Sequence, residues 1–263
     1  MEKSQKHKEV QSIAKGTEVI KNIFTSLSTM TLEELERYKK VQSIAKETIE
    51  FLKSFIKEGL SAKDIKDAAE KFMKGKGVNS FWYHNIGALV FVGEQTTISI
   101  PGREYEASDT KVQSEDLVTV DLGPEINGFR GDFARSFAIQ DGRVVEVNQS
   151  ESSEIIQGIE IVIKLHEIFK DLVKENTSFE EAYTQINSII EDSGFENLDF
   201  KKNLGHTIVK NKNDRIYIEA GNKTKFKDIN LFTFEPHIKK RKGKYGFKHE
   251  NIYYFNQGKI QIL

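Results

Sequence analysis

The 263-residue sequence contains no cysteine, which excludes disulfide bonds and thiolate metal ligands. No stretch approaches the roughly 18 consecutive apolar residues that a membrane-spanning helix needs. The first ten residues, MEKSQKHKEV, lack the apolar segment of a secretory signal. Neither sign of charge is in excess, since the formal net charge is −1, so composition favours neither a nucleic-acid partner nor an anionic membrane. These absences predict a soluble, cytoplasmic protein.

The chain does have enough apolar sequence for one large core. Hydrophobic residues make up 38% of it and charged residues 30%, a balance typical of folded domains and not of disordered chains. Residues 1–30 show only weak helical periodicity and are predicted to form an N-terminal helical arm. Residues 31–263 are predicted to form the main domain.

Two pairs of helices are predicted, and strand-like segments follow each pair. Three helices begin with a capping box, formed by Thr31 and Glu34, Ser61 and Asp64, and Ser178 and Glu181. The first of these helices is predicted to end at Gly59, and a helix over 151–176 opens the second pair. The late strand-like segments include HTIV, RIYIEA, LFTFEPHI and ENIYYF. This order predicts a pseudo-symmetric α+β domain with a mainly antiparallel sheet covered by helices.

Two aspartates lie in apolar, strand-like sequence between Leu117 and Ile139. Asp121 follows VTV and Asp132 precedes FARSFAI, with a Gly-Pro and an Asn-Gly turn signal between them. A carboxylate in an apolar strand costs free energy unless it is paired or binds a metal. A hairpin would bring the two aspartates side by side, which is the geometry that a divalent-metal site needs.

The second half contains a matching pair of acids. Glu235 lies in LFTFEPHI, Glu250 lies in KHENIYYF, and His206 follows a glycine between the two pairs of acids. One acid in a strand is most simply a solvent-facing residue, but four at matched positions favour a shared site. Four carboxylates and one imidazole suit two divalent ions such as Mn²⁺, Co²⁺, Fe²⁺ or Zn²⁺, which can activate a water molecule between them.

These motifs, VDLG followed by GD, then LGH, FTFEPHI and a late glutamate, resemble those of one peptidase superfamily. Over residues 31–263 the sequence is similar to the metallopeptidases of the methionine aminopeptidase and Xaa-Pro peptidase (prolidase) superfamily. The resemblance implies the pita-bread fold, whose two pseudo-symmetric halves each consist of two helices followed by strands. It implies two divalent ions, with manganese expected first, and five metal ligands: Asp121, Asp132, His206, Glu235 and Glu250.

The resemblance also implies roles for these ligands. Asp121 would bind one ion, Asp132 and Glu250 would bridge both ions, and His206 with Glu235 would complete the other. Glu235 would in addition be catalytic, because a carboxylate beside the attacking water can take its proton and deliver it to the leaving amine.

The phrase DLGPEINGFRGDFARSF resembles the Xaa-Pro peptidase branch more than the methionine branch. The expected function is therefore that of an Xaa-Pro peptidase-like metallo-aminopeptidase. Such a hydrolase would act on a peptide substrate with a free N-terminus. A homodimer is one oligomeric state to test.

Two auxiliary histidines of the family have no counterpart here. The segment before Asp121, GEQTTISIPGREY, contains no histidine, and Asn213 stands where the family has the second. Because these imidazoles stabilise the tetrahedral intermediate in the family, we expect lower catalytic efficiency. His237 and His84 are the candidate catalytic replacements.

Three alternatives stay open. The first is methionine aminopeptidase-like activity. The second is a catalytically silent member that acts as a binding module, which the missing histidines favour and the retained ligands disfavour. The third is metal-independent cleavage of a non-peptide C–N bond, as in creatinase.

Overall fold

The structure is a computed structural model and describes residues 30–263. The predicted arm therefore lies, up to residue 29, outside the described residues. Four α-helices occur in the described part: α1 (Leu32–Phe55), α2 (Ala62–Gly75), α3 (Ser153–Leu172) and α4 (Phe179–Asp192). None of these helices is long and apolar enough to cross a membrane.

The second helix of each pair starts at a complete capping box. The Ser61 hydroxyl accepts a hydrogen bond from the backbone N–H of Asp64, whose carboxylate accepts from the backbone of Ser61, and Ser178 and Glu181 repeat this exchange. Each capping serine also forms an isolated β-bridge with a lysine, Ser61 with Lys111 and Ser178 with Lys225. The two halves therefore share local detail as well as element order.

The long helices are shorter than predicted. Helix α1 ends at Phe55 and not at Gly59, because Lys57 already forms a bridge with Arg143 at the edge of a sheet. Helix α3 begins at Ser153, where the Ser152 hydroxyl caps it.

All strand pairs in the described part of the chain are antiparallel. The largest sheet has the order β2-β3-β6-β7, and three-stranded sheets have the orders β1-β4-β5, β11-β10-β8 and β13-β12-β9. The strands are β1 (Ser80–Phe81), β2 (Ala88–Val92), β3 (Asp116–Leu122), β4 (Pro124–Ile126), β5 (Phe129–Arg130), β6 (Phe133–Gln140), β7 (Arg143–Val145), β8 (Phe195–Asn197), β9 (Phe232–Phe234), β10 (His237–Lys240), β11 (Gly246–Lys248), β12 (Asn251–Asn256) and β13 (Lys259–Ile262).

Each helix pair packs mainly on strands of its own half. Apolar residues of α1 and α2 pack with those of β2, β3 and β6. Residues of α3 and α4 pack with β8 and later strands, and with Leu117 of β3 and Ala138 of β6. The α+β prediction is therefore confirmed. Two predicted strands are wrong: HTIV and RIYIEA make only isolated bridges, His206 with Tyr217 and Thr207 with Phe232, because these segments run alongside their neighbours for too few residues to form a ladder.

Candidate metal centre

The two aspartates lie at one end of the β3–β6 pair. Asp121 is the next-to-last residue of β3 and pairs with Ala134 of β6. Asp132 lies directly before β6, in the connection from the β4–β5 hairpin and not inside a strand as predicted. Since Leu122 pairs with Phe133, Asp121 and Asp132 lie on neighbouring backbone segments at the same end of the sheet.

A glutamine of α1 holds the backbone of Asp132. The Gln42 side-chain amide donates to the carbonyl of Asp132 at 2.8 Å, and its oxygen accepts from the N–H of Asp132 at 2.9 Å. The Trp82 indole donates to the adjacent carbonyl of Gly131 at 3.0 Å. Sequence reasoning missed Gln42, although a polar residue between the inward-facing Val41 and Ala45 was the signal for it.

His206 is placed by a glycine that lies against a neighbouring strand. A Cβ atom on Gly205 would lie only 2.2 Å from the carbonyl oxygen of Thr233 in β9. On either side of it, the N–H of Glu235 donates to the carbonyl of Leu204, and the N–H of Thr233 donates to that of His206. The LGH motif thus forms a close backbone contact that puts the imidazole beside Glu235.

The two glutamates meet at the ends of the β9–β12 pair. Phe234, the last residue of β9, pairs with Asn251, the first residue of β12. Glu235 directly follows β9 and Glu250 directly precedes β12, so both lie at the same end of the pair. The Arg135 guanidinium, which sequence reasoning also missed, donates to the carbonyl of Glu250 at 2.7 Å. Strand β6 therefore positions acids of both halves.

The five predicted ligands form two overlapping groups. Asp132, His206 and Glu250 make one group, and Asp121, Glu235 and Glu250 make the other, with one ligand atom of each residue within 4.8 Å of the others. The His206 Nε2 atom lies 3.5 Å from Asp132 Oδ2 and 3.5 Å from Glu235 Oε1. Glu250 is shared, and Glu235, which the resemblance places beside His206, also groups with Asp121.

The imidazole of His206 is neutral and presents a lone pair to these acids. Burial lowers the pKa of His206 to about 4, with Arg215 adding to the effect against the opposing influence of Glu235. Its Nδ1 atom lies 3.1 Å from the carbonyl oxygen of Thr207, an acceptor, so the ring proton belongs on Nδ1. The unprotonated Nε2 therefore faces two carboxylates, an arrangement that a cation between them would stabilise.

Buried oxygen atoms of the cluster lack donors. Within the described part of the chain, Asp132 Oδ2 and both carboxylate oxygens of Glu250 have no hydrogen-bond partner. Burial raises the pKa of Asp132 and that of Glu250 well above the ordinary values, and neighbouring carboxylates raise both further. Buried acids this close together need a positive charge, and oxygen atoms with one imidazole are suitable ligands for divalent ions of the Mn²⁺ to Zn²⁺ series. The residues therefore fit a metal.

One cation of the protein itself lies in the cluster. The Lys248 ammonium is 2.5 Å from Asp121 Oδ2 and 3.0 Å from Glu235 Oε2. Burial on its own would raise the pKa of Glu235, but the Lys248 ammonium lowers it. The pKa of Asp121 is raised, because burial outweighs the opposing effect of Lys248. Sequence reasoning did not anticipate Lys248, since the lysine-rich sequence before it resembles a solvated loop.

A cavity of about 450 Å³ opens onto this cluster. Its lining includes four of the five predicted metal ligands and several apolar side chains. It also includes the candidate replacements for the missing histidines of the family. The lining residues of interest are Trp82, Tyr83, His84, Ile98, Asp121, Asp132, Phe200, His206, Asn213, Arg215, Glu235, His237 and Lys248. Glu250 lies behind them and is fully buried.

The candidate replacements for the missing histidines differ in their exposure and in their hydrogen bonds. His84 is exposed and has its ring 4.9 Å from that of Tyr83. His237 is buried, and its Nε2 lies 2.8 Å from the carbonyl oxygen of Thr96, so Nε2 carries the proton. Burial lowers the pKa of His237 to about 4, which leaves an acceptor, and not a second donor, at its Nδ1. Asn213 lies in an exposed turn.

Arg215 is a cationic group of the wall that sequence reasoning missed. Its guanidinium carbon lies 5.0 Å from the centre of the Trp82 ring and 5.6 Å from that of Tyr83. These rings hold the guanidinium at the cavity.

Residues 36–257 match the model of metallopeptidase family M24. The chain belongs to this family. The match spans both halves and includes all five residues of the cluster, and M24 is a family of divalent-metal enzymes. The superfamily resemblance inferred from the motifs is confirmed.

Individual relatives add fold and partial sequence similarity. This M24 chain is 32% identical over 111 residues to methionine aminopeptidase 1 of Bacillus subtilis, which covers 39% of the chain and 42% of that protein. Its fold is similar to that of the prolidase from Pyrococcus furiosus, with a TM-score of 0.73, 22% identity, and coverage of 88% of this chain and 64% of the other. The X-Pro aminopeptidase from Thermotoga maritima gives a TM-score of 0.72, 20% identity, and coverage of 88% and 60%.

These similarities confirm the pita-bread fold. The chain spans about two-fifths of the methionine aminopeptidase and about three-fifths of the solved structures.

Proposed function

We propose that this chain is a dinuclear metallo-aminopeptidase that removes N-terminal residues from peptides, with Xaa-Pro bonds as its main substrates. The observation that carries the proposal is the lone pair of His206 Nε2, which lies 3.5 Å from Asp132 and Glu235 beside the donor-free oxygens of Glu250. Family membership supports the metallopeptidase class, and the fold similarity to prolidases supports the Xaa-Pro preference.

The ligands would be divided between two positions that share Glu250. This division differs from the one that the resemblance implies, in which Asp132 also bridges and Glu235 joins His206. Asp132 and His206 would hold one ion, and Asp121 and Glu235 would hold the other. When bound, the ions supply an activated water molecule and polarise the scissile carbonyl group. Manganese is the ion to test first, with cobalt, iron and zinc as alternatives.

The side chains of the cavity would bind the peptide and transfer the proton. Glu235, whose pKa is lowered despite burial because the Lys248 ammonium is near, can accept a proton from water and deliver it to the leaving amine. We propose that His84 at the exposed side of the cavity contacts the substrate carbonyl. His237 would act as an acceptor, since its Nε2 proton is already donated to Thr96.

The test compares peptides on protein of known metal content. Metal-free protein is reconstituted with Mn²⁺ or Co²⁺ and assayed on Xaa-Pro dipeptides and tripeptides, Met-Xaa tripeptides and the same peptides with an acetylated N-terminus. We expect cleavage of Xaa-Pro bonds and none of the acetylated peptides. Faster cleavage of Met-Xaa peptides would instead support methionine aminopeptidase activity, which the Bacillus relative favours.

A Glu235→Gln variant tests the catalytic residue. It should lower kcat by about a hundredfold to ten-thousandfold, whereas Glu196→Gln, which alters an exposed glutamate paired with Lys239, should not. Absence of cleavage of every peptide by the metal-loaded protein would contradict the proposal and favour a silent binding module.

A further inference from the structure

The two halves of the metal centre are unequal in the positive charge that the protein supplies to them. The Lys248 ammonium contacts Asp121 Oδ2 and Glu235 Oε2, at 2.5 and 3.0 Å. In contrast, Asp132 Oδ2 and both oxygens of Glu250 have no donor among residues 30–263. The ammonium therefore forms its direct ion pairs with Asp121 and Glu235 and acts on Asp132 and Glu250 only from a greater distance.

Strand pairing holds Lys248 in this place. The backbone N–H of Lys248 donates to the Ser136 hydroxyl at 2.9 Å. The same hydroxyl donates to the carbonyl oxygen of Lys248 at 3.0 Å. Lys248 also pairs with His237 in the β10–β11 ladder. The side chain is only 18% exposed, so the ammonium has little access to water as an alternative to the carboxylates.

The oxygen atoms that bind the ammonium belong to residues that would also bind an ion. Asp121, Glu235 and Glu250 each place a ligand atom within 4.8 Å of the others, the spacing of a shared cation. A second divalent ion and the Lys248 ammonium would therefore require the same carboxylates, and like charges this close repel strongly in a buried site.

We propose that Lys248 is an internal competitor for one of the two metal positions. The first ion binds to Asp132, His206 and Glu250, where no cation of the described chain stands in its way. A second ion binds only by displacing the ammonium from Asp121 and Glu235. This inference rests on the two-ion centre of the proposed function, and it makes the occupancy of the second position depend on the ion concentration.

Titration of the metal-free protein with Mn²⁺ tests the competition. Isothermal titration calorimetry should show two binding steps whose affinities differ by about tenfold or more. Electron paramagnetic resonance should show isolated Mn²⁺ at one equivalent and spin-coupled pairs only as a second equivalent is added. Binding of both ions in one step, or coupled pairs at the first equivalent, would overturn the proposal.

Lys248→Met removes the competitor while keeping an unbranched side chain. We expect the second step to tighten by about tenfold or more, with the first step changed much less. The control is Lys201→Met, because the Lys201 ammonium lies at the same cavity but 4.5 Å from the centre of the Tyr217 ring and not on a carboxylate. It should leave both steps unchanged. An unchanged or weaker second step in Lys248→Met would refute the competition.

A second variant covers the case in which Lys248→Met does not fold without metal. Lys248→Arg keeps the positive charge and should keep a weak second step, so a tight second step in this variant would also refute the competition. These readouts measure ion binding and not turnover. Failure of the peptidase proposal and failure of the competition are therefore distinguishable. The first would appear as metal-loaded protein that cleaves no peptide. The second would appear as equal affinities of the two Mn²⁺ binding steps.

Discussion

Single residues at the site serve backbone geometry as much as chemistry. Gly205 allows the histidine segment to lie against β9, and no side chain fits there because a Cβ atom would be 2.2 Å from the Thr233 carbonyl oxygen. Gln42 contacts the backbone of Asp132 and Arg135 that of Glu250, which leaves Asp132 Oδ2 and both carboxylate oxygens of Glu250 available. Ligand positions are thus set largely by groups that would never touch the metal.

Gly205→Ala should separate the histidine segment from β9. We expect a loss of about 3 kcal/mol in the free energy of unfolding, because backbone atoms must move apart, together with weaker Mn²⁺ binding. Gly221→Ala is the matched control, since Gly221 has a positive φ of 82° but no atom within 4 Å of the place that a Cβ would occupy. It should cost only about 1 to 2 kcal/mol and leave Mn²⁺ affinity unchanged; equal effects of the two variants on urea unfolding would contradict the steric explanation.

His166 should make stability depend on pH. It is buried, its Nε2 lies 2.9 Å from the His249 carbonyl oxygen and its Nδ1 lies 2.8 Å from the Tyr253 hydroxyl. Burial lowers the pKa of His166 from 6.5 to about 3, with nearby Arg135 adding to the effect. Its contribution to stability is therefore complete above pH 6.5 and is lost as the pH falls towards 3, because the unfolded chain binds a proton that the folded chain does not.

The readout is the slope of the unfolding free energy against pH. Between pH 4 and 6 the wild type should be steeper than His166→Phe by about 1.4 kcal/mol per pH unit. Tyr253→Phe removes the hydroxyl partner but keeps the imidazole, so it should lower stability without removing this slope. A His166→Phe variant with the slope of the wild type would refute the assignment.

At the scale of elements, β6 connects the two halves. It pairs with β3, which carries Asp121, and its Arg135 and Ser136 contact the backbone of Glu250 and Lys248. Helix α1 reaches the same region through Gln42. The site is therefore assembled from one helix and two strand pairs, each fixed by its own packing.

Replacing Gln42 by leucine tests the link from α1 to the metal centre. Both hydrogen bonds to the Asp132 backbone would be lost in a buried place, which should cost about 3 kcal/mol in the free energy of unfolding and weaken Mn²⁺ binding. Ser43→Ala on the exposed side of the same helix should change stability by less than about 0.5 kcal/mol. Unaltered Mn²⁺ affinity in Gln42→Leu would show that α1 does not position Asp132.

At the scale of the whole molecule, local signals were predictable and distant partners were not. Capping boxes, antiparallel pairs and the acids in apolar sequence are encoded within a few residues, and the structure brings the four acids and His206 together. Gln42 meets Asp132 across 90 residues and Lys248 meets Asp121 across 127. No local pattern specifies such contacts, because they depend on how the halves pack.

Metal removal should reveal how much the buried acids destabilise the fold. Since burial raises the pKa of Asp132, and each pKa unit corresponds to about 1.4 kcal/mol, Asp132→Asn should stabilise the chelated protein. Mn²⁺ at a thousandfold excess over its Kd should stabilise the wild type by about 4 kcal/mol and this variant much less. Thermal unfolding with and without chelator measures both effects; a less stable chelated variant would contradict the prediction.

The bond between Arg135 and the Glu250 carbonyl, which spans 115 residues, has a consequence for synthesis. At translation rates of about 5 to 20 residues per second, Glu250 is added roughly 6 to 23 s after Arg135. Throughout that interval the nascent chain carries Asp121 and Asp132 without the shared carboxylate of the centre. Metal capture by the complete ligand set is therefore a late event, which follows the arrival of the last strands.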